Sequence, residues 1–311
     1  METIHGFDLE EVNTFPGLLK AYRNIGIQAS NLSVADTLLY SMVADKGMTF
    51  YISFTSTVIS SGLREIMAQF IRDASPKVII TTAGAIEEDI MRTLGSFYLG
   101  HFNIDDASLR KRGINRIGNI FVPNERYEGL EKFVRPILGE FTGGFPISTR
   151  QLISRLSENI NDPGSFLKAA HDIGCKVFCP AITDGALGIQ LYIHKQKNRE
   201  FCIDVTADMK ELADITLQSK STGALILGGG VPKHHTLGVN LLRGGLDKAV
   251  YISTAHEYDA SLSGAYPREA VSWGKIKAQG KSVLVYADYS IVFPLLAKSL
   301  HDKIKENKRT E

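Results

Sequence analysis

Lys275 closes the run EAVSWGK, two positions after Trp273 and six after Glu269. An amine beside an indole can lose its proton through desolvation and become a nucleophile. Most lysines are solvated surface charges, and on local grounds alone that is the commoner outcome. His234-His235 follows the triple glycine Gly228-Gly229-Gly230. Histidine titrates near working pH and is a candidate general base, although on local grounds a helix-start histidine on the surface is the favoured account. The glycines allow close approach of backbone to a ligand but lack the GxGxxG spacing.

Three further groups could bind charge. Ser56, Thr57 and Ser60 fall at the start of a helical pattern over 57–74, where hydroxyls and free N–H groups can hold a phosphate. Simple helix capping would account for Ser56 or Thr57 as well. Glu87, Glu88 and Asp89 read as the acidic first turn of a helix, for which macrodipole complementarity is the favoured account. A carboxylate patch for a cationic substrate is the sharper alternative. Cys175 and Cys179 have the spacing of a metal pair, but they lie on or beside the apolar run KVFCPA and no second Cys/His pair with finger-like spacing accompanies them, so no metal site is expected.

The elements that must position these groups alternate. Strand-like runs occur at 48–53, 77–82, 176–181, 223–228, 249–254 and 282–287, and several are apolar without alternation, as in a parallel sheet buried on both faces. Helical patterns lie between them, clearest over 57–74, and also at 126–141, 148–160, 163–174 and 289–307. This order implies an α/β fold: a mostly parallel sheet with helices on both faces, formed by a single large domain over 1–311. Residues 1–45 read as an N-terminal extension packing on the core, 142–144 as the most flexible joint, and 306–311 as a charged, frayed tail. The polar and glycine clusters all follow strand ends, where open parallel sheets bind ligands.

Composition narrows the function classes. Among 311 residues, 35 basic side chains nearly balance 34 acidic ones, which argues against broad electrostatic binding of nucleic acid. The longest apolar run, near SIVFPLLA (290–297), is far short of a membrane span, and the start METIHGFDLEEV lacks the pattern of a signal peptide. Three cysteines suit a reducing cytoplasm better than a disulfide framework.

Taken together, TSTVISSGLRE (55–65), TTAGAIEED (81–89), GINRIGN (113–119), VPNE (122–125), PAITDGALG (180–188), LGGGVPKHH (227–235), EAVSWGKI (269–276) and VYADYSIVFPLL (285–296) resemble the deoxyhypusine synthase family over nearly the whole chain. The resemblance implies a Rossmann-like fold and a cytoplasmic homotetramer with NAD at subunit interfaces. It also implies a reaction: the aminobutyl group of spermidine passes through an enzyme-lysine imine to a lysine of the translation initiation factor 5A precursor. By motif, Lys275 matches the imine-forming lysine and His234 the active-site histidine. Glu269 and Trp273 match the polyamine channel, to which Glu87 and Glu88 add carboxylates. Ser56, Thr57, Ser60, Thr82, Ala83, Gly84, Glu88, Asp184, Gly229, Thr254, Ala255, Asp259 and Asp288 match NAD contacts.

The sequence departs from the family at Thr57, Ile189, Gly238 and Leu262, where the family carries asparagine, an acid, asparagine and aspartate respectively. Three of these lie at the polyamine end of the site. The loss of two carboxylates there opens an alternative, a related aminobutyltransferase making a small polyamine such as homospermidine. A non-catalytic regulatory paralogue is a third reading, against which the retained Lys275 counts.

Overall fold

The computed structural model describes residues 2–141 and 145–310; the joint expected at 142–144 lies outside the described residues. The chain forms two compact units. The first comprises Met1–Phe54, Phe70–Ile80 and Glu211–Glu311, and the second Thr55–Gln69 and Thr81–Lys210.

The first unit is built on parallel strands in the order Ile276–Tyr286, Leu246–Ser253, Ser221–Leu227, Met48–Phe54, Val78–Ile80. Met48 pairs with Ser221 and Lys248 with Gly223. The central strands carry Tyr51, Ile52, Phe54, Leu225, Ile226 and Val250, all fully buried, which is why they read as unbroken apolar runs. Helix Ile27–Val43 covers one part of this sheet. Asn31 Nδ2 donates to Leu284 O at 3.0 Å, and Gln28 Oε1 accepts from the Tyr286 N–H at 2.8 Å. A Cβ on Gly223 would stand 2.6 Å from Met42 Sδ, so the strand is glycine where that helix side chain crosses it. Helix Tyr289–Thr310 packs through Phe293 on Phe70, edge to face with ring centroids 5.2 Å apart. It runs through the charged segment expected to fray; its last turns hold Lys305 and Lys308, and cations suit a helix C-terminus.

The expected helix over 57–74 is two helices, Thr57–Ser60 and Leu63–Ala74, separated where Ser61 turns extended. The break is stapled in the second unit by Arg92, whose guanidinium donates to Ile59 O at 3.0 Å and also to Ser61 O. Helix Ala83–Leu94 begins at the Thr82 cap, so Glu87–Asp89 lie one turn further in than expected and are buried. Asp89 is fully enclosed and holds Arg64 Nε at 2.5 Å, Ser165 Oγ at 2.5 Å and the Leu167 N–H at 3.1 Å. Arg64 also donates to Asp162 at 2.7 Å. The macrodipole account therefore fails for Asp89, which is the anchor of a buried ionic network. The short strand Lys176–Phe178 follows helix Phe166–Asp172, capped by Ser165, and an antiparallel sheet joins Tyr98–Leu99, Ile120–Pro123 and Ile114–Ile117.

Candidate functional site

The strand order runs one way in sequence from Met48–Phe54 to Val78–Ile80, and the other way from Ser221–Leu227 through Leu246–Ser253 to Ile276–Tyr286. The reversal between Met48–Phe54 and Ser221–Leu227 is a topological switch point, where open parallel sheets form a ligand crevice beyond their carboxyl ends. Gly228–Gly230, Thr254, Ala255 and Asp288 lie beyond those ends in the first unit, whereas Ser56, Thr57, Thr82, Ala83 and Gly84 belong to the second.

In the second unit the structure brings Ser56, Ser60, Gly84 and Glu88 together. A Cβ on Gly84 would lie 2.9 Å from Ser56 Cβ, so glycine is what lets the Ser56 turn sit on the start of helix Ala83–Leu94. Ser60 is buried and its hydroxyl donates to Glu88 Oε2, so this hydroxyl is engaged inside the protein and the first-turn phosphate reading does not describe it. Burial pushes the Glu88 carboxyl up to about 8; the neighbouring Glu87 adds to the rise, while Ser60 and Arg92 oppose it. Glu87 is also buried, and its Oε2 accepts the Leu187 N–H at 2.7 Å. It thus caps helix Ala186–Lys197, and burial raises its carboxyl above the usual range. A Cβ on Gly185, whose φ is +149°, would meet Glu87 Oε2 at 2.7 Å, so the TDG turn must carry glycine there. Asp184, Thr57 and Ile189 are exposed, and Ile189 stands on the rim of an apolar hollow with Leu191, Tyr192 and Phe201. Cys179, buried, has its thiol pushed up to about 12 by burial and is unsuited to nucleophilic work.

In the first unit Gly228 and Gly230 turn at φ +80° and +65°, conformations that favour glycine, and start helix Gly230–Leu241 with no side-chain cap. Gly230 is exposed while Gly228 and Gly229 are half-buried, and a glycine turn that opens a helix at a switch point suits close approach of a dinucleotide phosphate. Gly229 answers to a different need: a Cβ there would stand 2.5 Å from Ser263 Cα. Asp259 is exposed, and the Ser261 side chain and N–H hold its carboxyl below the usual range. Asp288 Oδ1 accepts the Ser290 N–H at 2.7 Å, which makes it a capping residue for the last helix. His234 is exposed on helix Gly230–Leu241, whereas His235 is half-buried and burial lowers its pKa. Glu269 is exposed in the first turn of helix Pro267–Ser272. Lys275 Nζ lies 5.3 Å from the centre of the Trp273 ring, a cation–π distance. Trp273 is 65 % exposed, so within one chain the indole offers this amine a face and not the dry pocket expected of it.

One residue in this region escaped sequence reasoning. Lys233 is 1 % exposed, and its Nζ donates to Ala265 O at 2.7 Å and Ser263 O at 3.2 Å. A lysine beside two histidines drew no attention because no local pattern marks a lysine as buried.

Among the described residues no helix is long and apolar enough to cross a membrane.

Comparison with known proteins joins these observations. The family model for deoxyhypusine synthase matches residues 17–300. The chain is 41 % identical to a Thermococcus gammatolerans protein named "Probable deoxyhypusine synthase", covering 94 % of this chain and 92 % of that one. It is 37 % identical to the deoxyhypusine synthase of Musa acuminata, covering 94 % of this chain and 86 % of that one. A crystal structure from Entamoeba histolytica, assigned as a deoxyhypusine synthase, superposes with a TM-score of 0.69 at 28 % identity, over 95 % of this chain and 96 % of that one. With the parallel sheet, the switch-point glycines and the Trp273–Lys275 pair, these matches establish that the chain belongs to the deoxyhypusine synthase family, a family of transferases.

Proposed function

We propose that this chain catalyses NAD-dependent transfer of the aminobutyl group of spermidine to a lysine of the translation initiation factor 5A precursor, as a cytoplasmic homotetramer. The observation that carries the reading is the Lys275 amine held 5.3 Å from the Trp273 ring centre at the end of helix Pro267–Ser272, in a chain of this family.

Bound NAD supplies a hydride acceptor for the oxidation of spermidine and a hydride donor for the final reduction. The Gly228–Gly230 turn and Asp259 would hold it. Glu269 and the Trp273 face attract the polyamine cation. Lys275 Nζ, once neutral, adds to the oxidised carbon of the aminobutyl unit, and 1,3-diaminopropane leaves as the enzyme imine forms. His234 takes the proton that the attacking amine gives up. The acceptor amine then displaces Lys275, restoring the free lysine.

Ile189 favours a second reading. An apolar residue on the rim of an apolar hollow cannot pair with an ammonium group, which suits a related aminobutyltransferase whose acceptor is a small amine, with homospermidine as a product. Purified protein incubated with NAD and spermidine, followed by mass detection of 1,3-diaminopropane and of each acceptor, separates the two. Aminobutyl mass on the 5A precursor supports the first reading, and homospermidine with added putrescine supports the second. Lys275→Ala should keep NAD binding and lose transfer; full transfer by that variant refutes the imine route. Untouched spermidine with NAD bound would point to a regulatory paralogue.

A further inference from the structure

Lys233 poses a physical question that the proposed chemistry leaves open. A fully enclosed ammonium group is rare, because desolvation disfavours its charge. Here burial lowers the lysine to about 8, and the charge of Glu269 resists the fall. Its Nζ sits 4.8 Å from the centre of the Tyr251 ring and donates to Ser263 O and Ala265 O. Both acceptors are backbone carbonyls of one loop. That loop continues directly from the turn Glu257–Asp259, and it leads through Tyr266, at the N-cap position, into helix Pro267–Ser272, which bears Glu269. On its other side the loop is fixed to the glycine turn. Ser263 Oγ accepts the Gly230 N–H at 3.0 Å, and Gly229 has no room for a side chain against Ser263. Gly264 is equally constrained, since a Cβ there would stand 1.6 Å from His256 O.

We propose that Lys233 is a positioning residue. Its buried ammonium clamps the carbonyls of Ser263 and Ala265, and thereby sets the glycine turn, Asp259 and the start of the Glu269 helix in one fixed arrangement. The inference rests on the reading that this turn and loop hold NAD. Burying an ammonium group carries a desolvation cost that its carbonyl contacts must offset, so the clamp is expected to show in the geometry of the loop more than in overall stability. An apolar side chain would fill the same space and leave two carbonyls without their donor.

The test compares Lys233→Met and Lys233→Arg with the wild-type protein by thermal melting, hydrogen exchange of the 257–266 peptide, and equilibrium NAD binding. Lys233→Met should keep its melting temperature within a few degrees, exchange the 257–266 amides at least tenfold faster, and raise the Kd for NAD about tenfold or more. Lys233→Arg keeps a donor for the carbonyls and should fall between the two. Unchanged exchange in a folded Lys233→Met variant overturns the clamp. A large fall in melting temperature with NAD affinity intact makes Lys233 a plain stabilising residue and also overturns it. Should Lys233→Met fail to fold, Lys233→Arg decides: slow exchange and near-normal NAD affinity support the clamp, and fast exchange with normal affinity refutes it. If the wild-type protein binds no NAD, the functional reading has failed, while the exchange measurement still judges the clamp.

Discussion

Replacing Glu88 by glutamine should make the protein more stable, and only at neutral to alkaline pH. Glu88 is 7 % exposed, and its carboxyl is raised from the ordinary 4.5 to about 8, mainly by burial. A carboxyl that binds its proton more tightly when folded stabilises the fold in its protonated form. That contribution is full below about pH 4.5 and is lost progressively as pH rises to about 8. A rise of this size corresponds to roughly 5 kcal/mol between the two limits, and relaxation around the ionised group should reduce this to ~2–5 kcal/mol. Glutamine cannot ionise, and its amide oxygen can still accept the Ser60 hydroxyl. Urea unfolding of both proteins at pH 4.5 and at pH 8.5 gives the difference directly. The curves should nearly coincide at the lower pH, and Glu88→Gln should gain about 2 kcal/mol or more at the higher one. A stability difference that does not change with pH would refute the assignment of a proton to Glu88 in the folded protein.

Three other perturbations test separate parts of the structure. Arg64→Leu strands the buried Asp89 carboxylate, and denaturant titration should show a loss of about 3–5 kcal/mol; a loss under 1 kcal/mol would mean that Asp89 takes up a proton at little cost. Gly229→Ala drives a methyl group to 2.5 Å from Ser263 Cα. It should cost about 1–3 kcal/mol of stability and weaken NAD binding, and wild-type NAD titration curves would show the loop yielding freely. Ile189→Asp adds a carboxylate at a position 57 % exposed, so calorimetry on the NAD-loaded protein should find spermidine binding tighter by about 1.5 kcal/mol, near the lower end for a charge-assisted contact. Unchanged or weaker binding places the polyamine elsewhere.

All six strands expected from the sequence are present, because runs such as GALILG and AVYIST are buried on both faces and carry no competing periodicity. Their ends were harder to read. Val78–Ile80 is shorter than its apolar run, whereas Ile276–Tyr286 begins six residues before SVLVYA, in a polar stretch that pairs at an irregular register near Leu246. The split of the 57–74 helix depends on Arg92, a side chain distant in sequence whose guanidinium takes the carbonyls at the break. The same limit applies to the site. Which strand ends bear glycines and hydroxyls is visible in the sequence. That Ser60 turns inward to Glu88, that Glu87 caps another helix and that Lys233 is enclosed are decided by tertiary partners from 28 to 100 positions away.

The strand order also sets a timetable for synthesis. Met48–Phe54 lies between Val78–Ile80 and Ser221–Leu227, and the second of these partners begins 173 positions after Met48. On a ribosome adding roughly 5–20 residues per second, the first half of the sheet waits on the order of ten seconds or more with an apolar, unpaired edge. The whole second unit is made in that interval. Newly made chains stalled between residues 81 and 220 should therefore be the species most prone to aggregate and the ones that chaperones hold longest.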